Sequence, residues 1–337
     1  MKRIAGLDGI RALSIILVIL SHVAVWPRIG LQNGPILNVL SPSNGVGIFF
    51  VLSGFLITLL LIEEKQKTGK TDIFAFFMRR TLRILPLYFI AITFVLLLDI
   101  AGKANVPNCI WPYAYTYTIN FAPRACNHQS ISHLWSLAVE EHFYLVWPLV
   151  FMLGRRIAIF AAAAFAAACI FYGFSPFEKY ASTHRLVTWT FPAAAPIAFG
   201  CLAAFILNNS YVKRIFTDNS GAILLAIFAG TISPAFLAGK TLWMLSIASL
   251  LVYIYHNQNS VLVRFLELKP MIAIGIMSYG LYVWHGIFTG NGPWRQNAFP
   301  FPPEMDYGLW ISLIVAPISY LAFEKPILRL KRFYKRT

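Results

Sequence analysis

Leu7-Asp8-Gly9-Ile10-Arg11-Ala12-Leu13-Ser14-Ile15-Ile16-Leu17-Val18-Ile19-Leu20-Ser21-His22 is an apolar run with ionisable side chains set into it. From Arg11 to His22 a helix makes about three turns, so both side chains fall on one face, roughly 16 Å apart along the axis. Asp8 lies near the same stripe, one turn before Arg11. Ionisable groups inside a membrane span are costly and default to a functional reading. A cation near one leaflet and an imidazole near the other therefore line one path across the bilayer.

The rest of the chain has the composition that such a span requires. Of 337 residues, 58% are hydrophobic and only 12% charged. This is an integral membrane protein and not a soluble globule. Apolar segments at 10–26, 46–62, 84–100, 135–153, 157–173, 187–207, 221–237, 241–256, 270–290 and 307–324 predict about ten transmembrane helices. No segment alternates with period two, which excludes a membrane barrel. The fold class is all-α, a polytopic helical bundle.

The net charge of +15 would suit a nucleic-acid partner, but its distribution argues against one. With a cytoplasmic N-terminus, most basic residues, among them Lys65, Lys67, Arg79, Arg80, Arg83, Arg155, Arg156 and Arg329, fall inside. Only Arg28, Lys103, Arg124, Lys179, Arg185, Lys240 and Arg295 fall outside. That is the positive-inside pattern with both termini in the cytoplasm. The chain resembles a signal peptide only at its first residues, because Asp8 and Arg11 interrupt the apolar core such a leader needs.

Cys169 and Cys201 fall in spans and read as small apolar residues. Cys109 and Cys126 share the outer loop 101–134, where an oxidising compartment would join them in a disulfide. No Cys/His spacing suggests a metal. The inner loop 63–83 ends in Phe74-Ala75-Phe76-Phe77-Met78-Arg79-Arg80-Thr81-Leu82-Arg83. Its aromatics and arginines predict an interfacial helix along the inner leaflet. Gly47 and Ser53-Gly54 in the second segment allow close helix approach. The fourth segment opens with His133-Leu134-Trp135-Ser136 and continues to Glu140-Glu141-His142-Phe143-Tyr144, a charge density that packing does not explain. The ninth carries Ser278-Tyr279-Gly280-Leu281-Tyr282-Val283-Trp284-His285, and the tenth ends in Phe323-Glu324-Lys325-Pro326.

Taken in order, these pieces resemble the membrane acyltransferase family 3 proteins, which O-acylate bacterial surface glycans. The matching pieces are Leu7 to Ala12 with His22, Phe49 to Ile57, Arg80 to Tyr88, Trp135 to Tyr144, Ser278 to His285, and Glu324 to Pro326. His142 departs from the pattern, which more often has Gln there. The resemblance implies one transmembrane domain over 1–337, without the soluble esterase-like domain that some members append. It also implies the bacterial inner (cytoplasmic) membrane, an acyl-CoA donor (acetyl-CoA first) on the cytoplasmic side, and a glycan hydroxyl as acceptor, including lipid-linked ones. No metal is implied.

The residues fit that chemistry. A sugar hydroxyl needs a positioned base, and imidazole titrates near neutrality, which selects His22. Arg80 and Arg83, with Arg79 beside them, suit the phosphates of coenzyme A. Arg11 either holds the donor or pairs with Asp8. Glu140 either orients an imidazole or binds the acceptor, with Glu141 as its competitor. Ser53, Tyr282 and His285 are candidate substrate contacts, set against packing for Ser53, belt aromatics for Tyr282 and a buried hydrogen-bonded ring for His285. Direct transfer and an acyl-imidazole on His22 are both open. The competing reading is a proton-coupled transporter using Asp8, Arg11, His22, Glu140 and His285 as a relay. It lacks the paired interrupted spans that many transporters show.

Overall fold

The computed structural model describes residues 3–23, 25, 29, 40–173, 188–232, 239–290 and 300–334. Arg28, Lys179, Arg185 and Arg295 of the expected outer set lie outside the described residues. All ten apolar segments contain helix: α1 Leu7–His22, α2 Pro42–Thr68, α3 Ile73–Ile100, α4 Trp135–Met152, α5 Arg155–Gly173, α6 Ala195–Ile206, α7 Ser210–Asp218, α8 Ser220–Ile232, α9 Gly239–His256, α10 Lys269–Thr289 and α11 Met305–Ser319, with α7 as an addition.

Among the described residues, only five helices are long and apolar enough to cross a membrane, or six if α6 and α7 count as one bent span. The expected ten is therefore not met by length and composition, for local reasons. α1 has 16 residues and rises roughly 24 Å, short of the hydrocarbon core of about 30 Å. α4 carries Glu140 and Glu141 in 18 residues. The segment after Ala195 breaks at Leu207–Asn209 and turns through 99° into α7, where Asn209 caps the new helix through the Tyr211 and Val212 amides.

The expected interfacial helix is also corrected. Asp72 caps a single helix by accepting from the Ala75 amide, and that helix runs without interruption from Ile73 through the arginines to Ile100. No breaker separates the two parts. Pro86 is tolerated inside the helix, as membrane helices allow.

α1 is wedged between α2 and α10. Two glycines permit this approach: a β-carbon on Gly275 would fall on the Asp8 backbone, and one on Gly45 against Val18. A third, Gly9, seats α1 on the short helix Val261–Leu266, where a β-carbon would fall on the Leu266 backbone. α2 and α6 cross equally closely, since β-carbons on Gly54 and Gly200 would each strike the other helix's backbone. Ser14 adds a hydrogen bond to the Gly45 carbonyl, 2.5 Å. At one end of the bundle Arg3 meets Glu267 at 2.9 Å, and Arg79 donates to the Tyr334 carbonyl at 2.8 Å. α3 carries the chain from there to the loop where Cys109 and Cys126 are bonded, with Cα atoms 5.5 Å apart. Cys169 and Cys201 are free and buried.

Candidate active site

The close crossing of α1, α2 and α10, with α3 and α4 alongside, brings polar residues from five helices onto one cavity. Its walls include Arg11, Ser53, Arg80, Arg83, Ser136, Glu140, Tyr144, Ser278, Tyr279 and Tyr282. On α4, Ser136, Glu140 and Tyr144 recur every four residues and so share one helical face. On α10, Ser278 and Tyr282 do the same.

Arg11 donates to Asp8 at 2.7 Å, and Asp8 also meets Arg3 at 3.3 Å. Arg11 thus keeps its carboxylate partner and still faces the cavity, so the two readings of this residue coexist. The Arg80 guanidinium lies 4.7 Å from the centre of the Tyr144 ring, a cation–π contact that holds it over the cavity. Arg83 lines this cavity and a second one shared with Asp8, Arg11 and Glu324. Arg79 does not join them. It is tied to Glu64 at 3.3 Å and to the Tyr334 carbonyl, so the structure separates it from Arg80 and Arg83.

The Ser53 hydroxyl donates to Glu140. In the pair Ser53-Gly54, the glycine serves the contact with α6 while the serine turns to the cavity. Ser53 is therefore the acid's partner and not a packing residue alone. Glu141, one residue on, is not in the cavity wall. Its Oε1 is buried with no hydrogen-bond partner among the described residues. His142 stacks on Phe121 at 5.6 Å and bonds the Thr190 hydroxyl at 2.7 Å.

Beyond Glu140 the polar groups continue. Ser136 donates to the Tyr282 hydroxyl at 2.6 Å, which itself donates to the His133 carbonyl at 2.8 Å. The Tyr282 and His285 rings are 5.5 Å apart. His285 reaches His22 at 3.2 Å. The imidazole brought to His22 is therefore that of His285, while the partner brought to Glu140 is Ser53. Arg11 and His22 occupy the two ends of one polar column, with the cavity at the Arg11 end.

Sequence reasoning assigned no role to His133, Ser136, Tyr144, Tyr279 or Glu324. The four-residue spacing of Ser136, Glu140 and Tyr144 was a usable signal. Glu324 was not recoverable this way. It is delivered by a π-helical turn, Tyr320–Glu324, of the kind that often marks functional sites. Its Oε1 is buried without a hydrogen-bond partner among the described residues. Among the described residues no group of His, Cys, Asp and Glu has the geometry of a metal site. In the loop 101–134, burial pushes His128 below the ordinary imidazole value, with Asp99 opposing.

A family model described as an acyltransferase domain matches residues 4–322. The chain belongs to that family. Among curated relatives of this acyltransferase-family chain is the O-acetyltransferase OatA of Staphylococcus aureus (strain NCTC 8325 / PS 47), 30% identical over 97% of this chain and 57% of that protein. The peptidoglycan O-acetyltransferase OatA of Listeria monocytogenes is 26% identical over 97% of this chain and 56% of its own. The putative peptidoglycan O-acetyltransferase YrhL of Bacillus subtilis is 25% identical, covering 97% and 55%. The chain thus spans little more than half the length of these relatives. No solved structure matches it.

Proposed function

We propose that this chain is a membrane O-acyltransferase of the bacterial cytoplasmic membrane, moving a short acyl group, acetyl first, from cytoplasmic acyl-CoA to a hydroxyl of a cell-envelope glycan. Both termini face the cytoplasm. The names of the relatives favour peptidoglycan or a lipid-linked precursor of it as the acceptor. The observation that carries the reading is the convergence of Arg11, Arg80 and Arg83 on the cavity that holds the Ser53–Glu140 pair, in a chain of the acyltransferase family.

In this scheme Arg80 and Arg83 hold the phosphates of the donor, and the pantetheine arm enters between α2, α3 and α4. His22 takes the proton of the acceptor hydroxyl. The hydroxyl oxygen attacks the thioester carbonyl, the C–S bond breaks, and the proton passes to the departing coenzyme A thiolate. In the two-step version His22 first carries the acyl group as an acyl-imidazole and the acceptor then displaces it. Glu140, held by Ser53, contacts the acceptor.

Purified protein in nanodiscs, given radiolabelled acetyl-CoA and a lipid-linked peptidoglycan precursor, tests this. Wild type is expected to consume the thioester and label the glycan. His22→Ala should lose about 10³-fold in kcat while still binding donor. Arg83→Ala should raise the KM for acetyl-CoA by about 10- to 100-fold, the loss of one charged hydrogen-bonded contact. Normal acceptor acylation by His22→Ala would overturn the scheme.

A further inference from the structure

His22 and His285 form a hydrogen-bonded imidazole pair whose direction the backbone decides. A neutral imidazole has one N–H and one lone pair. His285 Nδ1 sits 3.1 Å from the Leu281 carbonyl, one turn back on α10. A carbonyl only accepts, so Nδ1 carries the proton and His285 Nε2 presents the lone pair. His22 Nδ1 lies 3.2 Å from that Nε2 and must therefore be the donor. With its one proton on Nδ1, His22 carries its lone pair on Nε2.

The His285 ring is well held for such a task. It is fully buried. The Tyr282 ring lies 5.5 Å away and the His133 ring 5.6 Å away. His133 is itself fixed by its Nε2–H on the Val283 carbonyl at 3.0 Å. Gly286 makes room for this arrangement, since a β-carbon there would fall on the His133 ring.

We propose that His285 is the positioning residue for His22: it accepts from Nδ1–H, fixes the ring's tautomer and rotation, and leaves Nε2 as the basic, nucleophilic nitrogen. This rests on the reading of His22 as the base or acyl carrier. It replaces a substrate contact by a partner contact for His285. It also explains why a base near the end of α1, a position where side chains ordinarily rotate freely, can be kept in one orientation.

Two variants and one spectroscopic measurement test the proposal. His285→Phe keeps the ring volume and removes the lone pair. His285→Gln offers a side-chain oxygen to His22 Nδ1–H. We expect Phe to lower kcat about 100-fold with the KM for acetyl-CoA within about twofold, and Gln to recover at least about tenfold of that loss. In histidine-labelled protein, two-bond nitrogen–proton couplings should report His22 as the Nδ1–H tautomer, shifting toward Nε2–H in His285→Phe. A His22 that is Nε2–H in wild type, or a Phe variant with unchanged kcat, overturns the proposal while leaving the acyltransferase reading intact. Correct tautomers in a wild type that turns over no acetyl-CoA with any acceptor would sink the acyltransferase reading instead, and the pair would stand as structural.

Discussion

Glu140 shows how much one hydroxyl decides. A carboxyl group lining an intramembrane cavity needs partners, and Ser53 supplies one from another helix. Ser53→Ala removes the donor and leaves the acid oxygen unsatisfied, a cost of about 1–3 kcal/mol. We expect the unfolding midpoint in detergent to fall by several degrees, and acceptor turnover to fall with it. Cys201 offers the contrast. It is buried against the Gly54 carbonyl at 3.5 Å and away from the cavity wall, so Cys201→Ala should leave turnover close to wild type. The residue types at 53 and 140 were visible in the chain, and so was the candidacy of both. Their pairing was not, because it joins α2 to α4 across 87 positions.

At the scale of the element, the glycines set where the side chains can meet. Gly275 lets α10 lie against the backbone of α1 at Asp8. Gly275→Ala places a methyl group on backbone atoms that cannot rotate away, so α1 must shift, and Arg11 with it. The expected outcome is a protein that inserts but loses at least tenfold in kcat/KM, measured beside a Gly221→Ala control, where a β-carbon would meet nothing within 4 Å. Helix periodicity was legible throughout, and the segments at 46–62, 84–100 and 270–290 all contain helices that pass for spans. The interfacial helix was not. Phe74 to Arg83 has the composition of a surface helix, yet nothing between Arg83 and Leu85 stops α3, and the arginines become the first turns of a continuous helix.

For the whole molecule, the charge asymmetry makes a topological prediction. In intact cells or sealed vesicles of known orientation, Lys103→Cys should react with an impermeant maleimide from outside, and Lys67→Cys only after permeabilisation. The reverse pattern would overturn the orientation proposed for the arginines and hence for the donor. The loop 101–134 supplies a second whole-molecule test. The Cys109–Cys126 bond closes a separation of 17 residues, which in the chain-entropy picture is worth about 3 kcal/mol. The double serine variant should unfold several degrees lower, with its acetyl-CoA KM unchanged, because the cavity proposed for the donor lies among α1–α4 and α10.

The all-helical membrane character, the asymmetry of charge and the candidacy of Arg11, His22, Arg80, Arg83 and Glu140 follow from sequence alone. Each depends on composition or on spacing within one helix, which are local properties. The separation of Arg79 from its neighbours, the pairing of Ser53 with Glu140, the π-turn that delivers Glu324 and the His22–His285 pair were decided only by the tertiary structure. These depend on which helices approach within a hydrogen bond's length. That approach is set by glycines whose effect appears only when a second backbone lies against them.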